Sequence, residues 1–151
     1  MVINMKETTI KVKYYTDRIE KLRYIDGKSD WVDLRAAERV EFKAGEFKLV
    51  SFGITVELPK GYELHIAPRS STFKNWGLIQ TNGVGVVDWE YHHEGDILMA
   101  PMYATRDTVV EVNDRICQFR IMENQPQLFF EEVEELDGKP ARGGFGSSGK
   151  N

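Results

Sequence analysis

The sequence contains one cysteine, Cys117, among its 151 residues. A single cysteine excludes an intrachain disulfide and a zinc site with four cysteine ligands. Positive charge is not in excess, with 20 Lys and Arg against 24 Asp and Glu, so polymeric nucleic acid is not an expected partner. No apolar run is long enough to cross a membrane, and the amino terminus lacks the apolar core of a signal peptide. These absences favour a cytoplasmic protein.

The composition is that of one soluble globular domain. Hydrophobic residues make up 41% of the chain and charged residues 29%, and the length allows a single core to be buried. From residue 137 onward, glycine, serine and charged residues dominate, and such a segment cannot bury a core. We therefore divide the chain into a folded domain, residues 1–136, and a flexible tail, residues 137–151.

Alternation of apolar and polar residues recurs along the folded part. It runs through residues 10–14, 54–58 and 63–66, with turn signals at 43–46, 59–61, 82–83 and 94–96. A period of two places one face of a strand in a core and the other in water. Many short strands separated by turns predict an all-β jelly roll or barrel.

One short helix is predicted from Thr72 to about Trp76. Serine is a favoured N-cap residue, and Gly77 would end the helix. A helix start attracts anions, and Arg69, in front of Ser70 and Ser71, adds a fixed positive charge. The segment therefore predicts a phosphate site, the alternative being an ordinary capped helix with a surface ion pair.

Two further segments carry candidate functional groups. Asn82-Gly83 predicts a hairpin turn, Gly85 suggests a close approach to the backbone, and Asp88 could accept a proton from water where an apolar strand ends. An ordinary strand-end Asp is the alternative. In the segment 113–121, alternation places Gln118 and Arg120 on one face and Cys117 on the other, as a small core residue without a lowered thiol pKa.

The tail combines flexibility with recognition groups. Arg142 suits phosphate oxygens, and Phe145 can stack on a nucleobase. Ordering residues 143–149 would cost on the order of 10 kcal/mol, which one stack and a few charged hydrogen bonds barely offset. A disordered terminus is the commonest meaning of such a segment, but its composition also suits a lid that closes only on a bound nucleotide.

Taken in this order, the segments resemble the sequence motifs of the trimeric dUTPases. The resemblance runs from about residue 33 to 151, and the forms Pro-Arg-Ser-Ser, Asp-Arg-Ile-Cys-Gln-Phe-Arg-Ile-Met and Arg-Gly-Gly-Phe-Gly are similar to the branch in Gram-positive bacteria and their phages. It implies a jelly-roll fold and a homotrimer with sites built from more than one subunit. The implied reaction is hydrolysis of dUTP to dUMP and pyrophosphate, which keeps uracil out of DNA and supplies dUMP for thymidylate synthesis.

The resemblance also implies a role for individual residues. Asp88 would activate the water that attacks the α-phosphorus, and Tyr91 would pack under the deoxyribose and exclude a 2′-hydroxyl. Uracil would be read by Asn82 and by the backbone from Gly83 to Val87. The implied phosphate and tail contacts are Arg69, Ser70, Ser71, Gln118, Arg142, Phe145, Gly146, Ser147 and Ser148.

Magnesium is the implied cofactor, held by the substrate phosphates and, through water, by Asp33. Three positions depart from the usual family pattern. Trp31-Val32 stand where a small residue and glycine usually precede Asp33, Ser71 stands where glycine is usual, and Arg142 and Phe145 are closer together than in many members. The first departure concerns the magnesium contact of Asp33, and the second could add a phosphate contact. The third concerns the reach of Arg142 to the γ-phosphate.

Two other functions fit parts of the sequence. A dCTP deaminase shares the fold, but its reaction needs a Glu in the strand after Asp88, and residues 96–103 contain none. Some phage members of the family capture repressor proteins, and residues 90–94 look like an insertion suited to such a partner. His92 and His93 would not form a metal site there, because neighbouring strand residues point to opposite faces.

Overall fold

The computed structural model describes residues 7–25, 27 and 29–150. The expected all-β architecture with one short helix is confirmed. Residues 1–6, on which the expectation about a signal peptide partly rests, lie outside the described residues. The elements are β1 (Lys11–Tyr14), β2 (Val32–Arg35), β3 (Val40–Phe42), β4 (Phe47–Ser51), β5 (Ile54–Glu57), β6 (Tyr62–Pro68), α1 (Thr72–Trp76), β7 (Leu78–Gln80), β8 (Gly85–Val87), β9 (Met99–Ala104), β10 (Thr108–Val110) and β11 (Arg115–Glu123).

The strands form a jelly-roll fold of small antiparallel sheets around one core. A four-stranded sheet has the order β2-β11-β6-β8, and a three-stranded sheet has the order β4-β9-β7. Two further antiparallel pairs, β1-β5 and β3-β10, complete the arrangement of strands around the core. Most strands contribute side chains to the core, which includes Leu34, Phe42, Val50, Phe52, Ile54, Leu64, Ile66, Leu78, Met102, Val110, Ile116 and Phe119.

The predicted alternation in β11 is confirmed. Cys117 and Phe119 are buried in the core, while Gln118 and Arg120 lie on the opposite face. Burial raises the pKa of the Cys117 thiol to about 12, so the group stays neutral. Cys117 is therefore a packing residue, as its sequence context predicts.

Helix α1 begins and ends where the sequence predicts, at Thr72 and Trp76. Gly77 terminates it in the left-handed conformation, with φ 65°, where a Cβ atom would lie 2.8 Å from Arg106 Cγ. Ser71 occupies the N-cap position, as predicted, but its side chain makes no capping hydrogen bond. Thr72 Oγ1 instead accepts from the Arg69 N–H at 2.9 Å and donates to the Ile116 carbonyl at 2.7 Å. This buried hydroxyl ties the start of the helix to β11.

Asn82-Gly83 forms a turn, with Gly83 at φ 69°, but the predicted hairpin is wrong. The strands on either side belong to different sheets, because β7 pairs with β9 and β8 pairs with β6. The turn therefore carries the chain from the three-stranded sheet to the four-stranded sheet. This geometry places residues 82–91, named here the 82–91 turn, at the border between the two sheets.

The last strand, β11, ends at Glu123. Residues 124–150 are exposed and lie outside the strands and the helix. The division of the chain at residue 137 stays a prediction. Within the described residues, no helix is long and apolar enough to cross a membrane.

Candidate functional site

The structure brings four predicted site residues into one polar pocket of about 860 Å³. Asp33 lies on β2 directly opposite Gln118 on β11, and Gln118 lies opposite Ala67 on β6. Arg69 and Ser70 follow β6 and close one side. The lining is Glu20, Arg23, Ile25, Ser29, Trp31, Asp33, Arg35, Arg69, Ser70, Arg115 and Gln118, and the name "polar pocket" refers to this set.

Asp33 organises two arginines in the polar pocket. Its Oδ1 lies 3.2 Å from Arg69 Nε, and its Oδ2 lies 3.2 Å from Arg115 Nη1. Arg69 Nη1 also donates to the Arg115 carbonyl at 2.9 Å. The Asp33 side chain is 16% exposed, so solvent screens this arrangement only partly. The two guanidinium groups are held in fixed positions before any ligand arrives.

The charge of the polar pocket suits a polyanion. Four arginines, residues 23, 35, 69 and 115, line it beside two carboxylates, Glu20 and Asp33. Guanidinium groups bind phosphate oxygens in a bidentate manner, which favours a phosphorylated ligand. The single-turn helix α1 contributes little to this field, so the positive charge comes from side chains.

Gln118 and Ser70 line the same pocket, and Ser71, which follows Ser70, does not. Gln118 Nε2 donates to the Pro68 carbonyl at 3.1 Å, which orients the amide towards the segment that carries Arg69. Ser70 is exposed at the mouth, and Ser71 is half-buried at the start of α1. The Ser70 hydroxyl is therefore accessible to a ligand in the polar pocket.

Alternation along β11 does not predict the position of Arg115. A strict period of two would place Arg115 on the core face with Cys117, but the register shifts between these two residues. This β-bulge leaves both Ile116 and Cys117 buried and turns Arg115 into the polar pocket. Glu20, Arg23 and Arg35 were also missed, and the sequence offers no local signal for them.

The polar pocket does not by itself form a complete magnesium site. Both Asp33 oxygens are engaged by arginines. Among the described residues, no three His, Cys, Asp or Glu side chains are grouped so that they could hold a metal ion. A magnesium ion would fit only with most of its ligands supplied by phosphates and water, the usual mode for this ion.

The 82–91 turn is fixed by a buried amide, Gln80. Its Nε2 lies 3.0 Å from the Ile66 carbonyl and 3.0 Å from Asn82 Oδ1. Asn82 Oδ1 thereby accepts a hydrogen bond from Gln80, and Asn82 Nδ2 lies beside Gly85. A Cβ atom on Gly85 would lie 3.2 Å from Ile66 Cβ, so the predicted close approach is that of strand β6.

Asp88 is exposed, and among the described residues its carboxylate has no hydrogen-bond or ion-pair partner. The Tyr91 N–H donates to the Asp88 carbonyl at 3.1 Å, and the Tyr91 hydroxyl donates to the Ile97 carbonyl at 3.0 Å. Burial, reinforced by Asp96, raises the pKa of Tyr91, so its phenol remains a donor. The carboxylate is free to accept a proton from a bound water.

Within one chain, Asp88 and the polar pocket lie far apart. Val87 pairs with Leu64 near the start of β6, whereas Pro68, at its end, pairs with Cys117. At about 3.4 Å per residue, Leu64 and Pro68 are roughly 14 Å apart along β6. Within one chain, the carboxylate of Asp88 and the polar pocket are therefore separated along β6.

The predicted tail residues lie outside the polar pocket and the 82–91 turn. Arg142, Phe145, Gly146, Ser147 and Ser148 are exposed. Short backbone bonds connect the Ser147 N–H to the Gly144 carbonyl at 3.1 Å and the Gly149 N–H to the Gly146 carbonyl at 2.9 Å. The roles assigned to these residues, like those of the other predicted site residues, stay predictions.

Residues 90–94 form a turn that packs against the body. His92 and His93 have ring centroids 4.7 Å apart, so the expectation that they point to opposite faces is wrong, because the segment is not a strand. The His92 ring also contacts Trp89, at 5.0 Å between centroids. His92 is half-buried, and His93 is exposed.

The sequence matches the family model described as dUTPase over residues 29–149. It is 50% identical over 140 residues to an SPbeta prophage-derived deoxyuridine 5'-triphosphate nucleotidohydrolase of Bacillus subtilis, covering 93% of this chain and 97% of the relative. A second relative, the deoxyuridine 5'-triphosphate nucleotidohydrolase of Fusobacterium nucleatum, is 34% identical over 149 residues, which cover 97% of this chain and all of the relative.

Solved structures share the fold. The dUTPase of Staphylococcus bacteriophage 80alpha with dUPNHPP superimposes with a TM-score of 0.77 at 20% identity, covering 95% of this chain and 100% of that chain. That protein is described among phage dUTPases that control transfer of virulence genes. A mutant dUTPase of phage phi11 of S. aureus, which coordinates a structural Mg(II) ion, gives a TM-score of 0.73 at 16% identity and covers 86% of this chain and 99% of that chain.

Proposed function

This chain belongs to the dUTPase family, and on that basis we propose that it hydrolyses dUTP to dUMP and pyrophosphate. The family match covers residues 29–149, which include the polar pocket and the 82–91 turn. The observation that carries the proposal is the convergence of Asp33, Arg69, Ser70 and Gln118 on one pocket beside a sheet that also carries the unpaired carboxylate of Asp88.

In the proposed reaction, Asp88 accepts a proton from a water molecule as the water oxygen attacks the α-phosphorus. The bond from the α-phosphorus to the bridging oxygen breaks, and pyrophosphate leaves with that electron pair. The guanidinium of Arg69, with the Ser70 hydroxyl and the Gln118 amide, would bind the α- and β-phosphates. Ser71 would add a contact at the same end.

The nucleoside would bind against the 82–91 turn. Asn82 Nδ2 and the backbone of Gly83 and Val87 would read the uracil edge, and the Tyr91 ring would occupy the space of a 2′-hydroxyl. Phe145 would cover the base from the tail, with Gly146 allowing the bend. Arg142, Ser147 and Ser148 would bind the γ-phosphate.

Magnesium is part of the proposal. When bound, it would neutralise charge on the triphosphate, with Asp33 contacting it through water. The coordination of a structural Mg(II) ion by the phi11 relative supports the choice of ion. The arginine contacts of Asp33 leave room only for such an indirect role.

We further propose a homotrimer, in which the polar pocket of one subunit meets Asp88 of another. The separation of these halves along β6 supports shared sites. A second support is an exposed apolar face formed by Phe47, Leu49, Ile79, Met99 and Tyr103 on the three-stranded sheet, each 40–56% exposed. A contiguous patch of this kind usually marks a contact surface. Sedimentation analysis should give three times the 17.4 kDa chain mass.

Pyrophosphate release from dUTP, dTTP, dCTP and UTP tests the activity directly. We expect turnover of dUTP and little turnover of the others, since base and sugar are both read. Ammonia release from dCTP would instead identify the chain as a deaminase, which the lack of Glu in residues 96–103 disfavours. The cytoplasm is the proposed location, consistent with one buried, unpaired cysteine.

A repressor protein as a partner is a second proposal. It is supported by the description of phage dUTPases that control transfer of virulence genes. His93 is exposed and outside the polar pocket, so His93→Ala should weaken capture of a repressor while leaving dUTP turnover intact. Equal loss of both would place His93 in the active site.

A further inference from the structure

The loop behind the 82–91 turn, residues 92–97, is attached to the β1-β5 pair by side-chain hydrogen bonds of Tyr15 and Thr55. Thr55, in β5, is only 6% exposed. Tyr15 directly follows β1 and lies beside it. Neither residue contributes to the polar pocket or belongs to the 82–91 turn, so their polar contacts need an explanation of their own.

Three hydrogen bonds connect the Tyr15 and Thr55 side chains to the loop backbone in series. Thr55 Oγ1 donates to the Asp96 carbonyl at 2.7 Å, and the Tyr15 hydroxyl lies 3.2 Å from Thr55 Oγ1. The Gly95 N–H donates to the Tyr15 oxygen at 2.9 Å. A hydroxyl has one proton, and a carbonyl can only accept, so Tyr15 must donate to Thr55. This order satisfies every group and fixes the backbone at residues 95 and 96.

The backbone next to residues 95 and 96 accepts a hydrogen bond from Tyr91. The Tyr91 hydroxyl donates to the carbonyl of Ile97, the residue next to Asp96, at 3.0 Å. Burial keeps the pKa of Tyr91 above its ordinary value, so the bond persists at neutral and mildly alkaline pH. Two contacts hold the Ile97 carbonyl in place. The Leu98 N–H of the same peptide donates to the Ile54 carbonyl at 2.9 Å, and Thr55 holds the preceding peptide through the Asp96 carbonyl.

Besides the backbone bond from the Leu98 N–H to the Ile54 carbonyl, ion pairs also connect this region to the β1-β5 pair. Lys13 and Glu94 form a salt bridge, but both side chains are more than half exposed. Exposed pairs of this kind contribute little, because solvent and salt screen them. The contact of the His93 N–H with Asp96 Oδ2, at 2.9 Å, lies within the loop itself. Among these side-chain contacts, the Tyr15–Thr55 chain contains the most buried group, Thr55.

We propose that Thr55, with Tyr15, is a positioning residue that fixes Tyr91 and thereby sets the discrimination between deoxyribose and ribose. This inference rests on the proposed function and deepens it. Thr55 touches neither substrate nor reacting atoms in this scheme. Its effect is expected in the ratio of kcat/KM for dUTP to that for UTP.

The experiment compares Thr55→Val, which keeps the branched shape and lacks the hydroxyl, with Thr55→Ser, which keeps the hydroxyl. Pyrophosphate release from dUTP and UTP is measured for each full-length variant, with Tm as a folding check. Thr55→Val should lower the selectivity for dUTP over UTP roughly tenfold, the size expected for one buried hydrogen bond, and Thr55→Ser should restore it to within about twofold. Lys13→Gln, which removes the exposed bridge to Glu94, is the matched control and should keep wild-type selectivity.

Tyr15→Phe provides a second test, because it removes the hydroxyl that bonds Thr55 and Gly95, at a less buried position. It should shift the selectivity in the same direction as Thr55→Val. Active Thr55→Val and Tyr15→Phe proteins with wild-type selectivity would overturn the inference, as would a Thr55→Ser protein as impaired as Thr55→Val. A wild-type protein that does not hydrolyse dUTP would refute the proposed function instead, so the two failures are distinguishable.

Discussion

The polar pocket and the 82–91 turn lie on the same four-stranded sheet, but folding of one chain leaves them in different states. In the polar pocket, Asp33 already aligns Arg69 and Arg115. In the 82–91 turn, the backbone is fixed by Gln80, while the Asp88 carboxylate remains exposed. One region is organised to bind charge, and the other presents a carboxylate that has no partner within the described residues.

The largest effect should come from the proposed general base, Asp88. We expect Asp88→Asn to lower kcat by a factor on the order of 10²–10⁴, because the water loses its general base. Binding of dUTP should remain, since the polar pocket is unchanged. Isothermal titration calorimetry with dUTP, beside pyrophosphate release, separates the two quantities. A variant that turns over at the wild-type rate would remove Asp88 from the mechanism.

Removal of residues 142–151 tests whether both halves suffice without the tail. We expect kcat/KM to fall roughly a hundredfold, because the base and the γ-phosphate lose their covering contacts. The body should stay folded and trimeric, since the last strand ends at Glu123. Circular dichroism and sedimentation provide the control. An unfolded truncation would show that the tail is a structural element.

Mixing two inactive variants tests whether the halves come from different subunits. One variant is Asp88→Asn, and the other combines Ser70→Ala with Gln118→Ala. In randomly reassembled trimers, about a quarter of the sites should contain both intact halves, so activity should rise tens of fold above either variant alone. A mixture no more active than its components would place the whole site within one subunit.

A tenfold effect is expected for Asp33→Asn. The KM for dUTP should rise about tenfold, because Arg69 and Arg115 lose the carboxylate that aligns them. Activity measured against Mg²⁺ concentration separates the two proposed roles of Asp33. A higher magnesium requirement supports the contact through water, and an unchanged requirement limits Asp33 to aligning the arginines.

The smallest effect is expected at Cys117. Its thiol pKa, raised to about 12 by burial, lies far above neutral pH, so the thiolate is scarce there and appears only as the pH approaches 12. Iodoacetamide at pH 8 should leave the folded protein unlabelled and active, while the denatured chain reacts. Mass spectrometry gives the readout. Labelling of the folded protein would contradict the core position of Cys117.

The local sequence pattern was sufficient to predict much of the fold. Alternation identified the faces of β11, and Gly77 marked the end of α1, because both depend on neighbouring residues only. The bulge that turns Arg115 into the polar pocket depends on pairing with β2, and pairing between distant strands has no local signal. The same limit explains the hairpin error at Asn82-Gly83, where the flanking strands pair with other partners.

The candidate site also contains residues that the sequence identified and contacts that it could not predict. Motif resemblance identified Asp33, Arg69, Ser70 and Gln118, which the fold brings together. It could not show that Thr72, rather than a serine, holds the start of α1, because that contact requires the Ile116 carbonyl from a distant strand. Contacts of the tail with the site stay predictions.

The apolar face on the three-stranded sheet has a practical consequence for any assay. If association through Phe47, Leu49 and Tyr103 brings Asp88 to the polar pocket of another subunit, turnover per chain depends on the protein concentration. Serial dilution should then reveal a threshold below which the rate falls faster than the enzyme concentration. Kinetic constants from very dilute samples would describe dissociating subunits rather than the working enzyme.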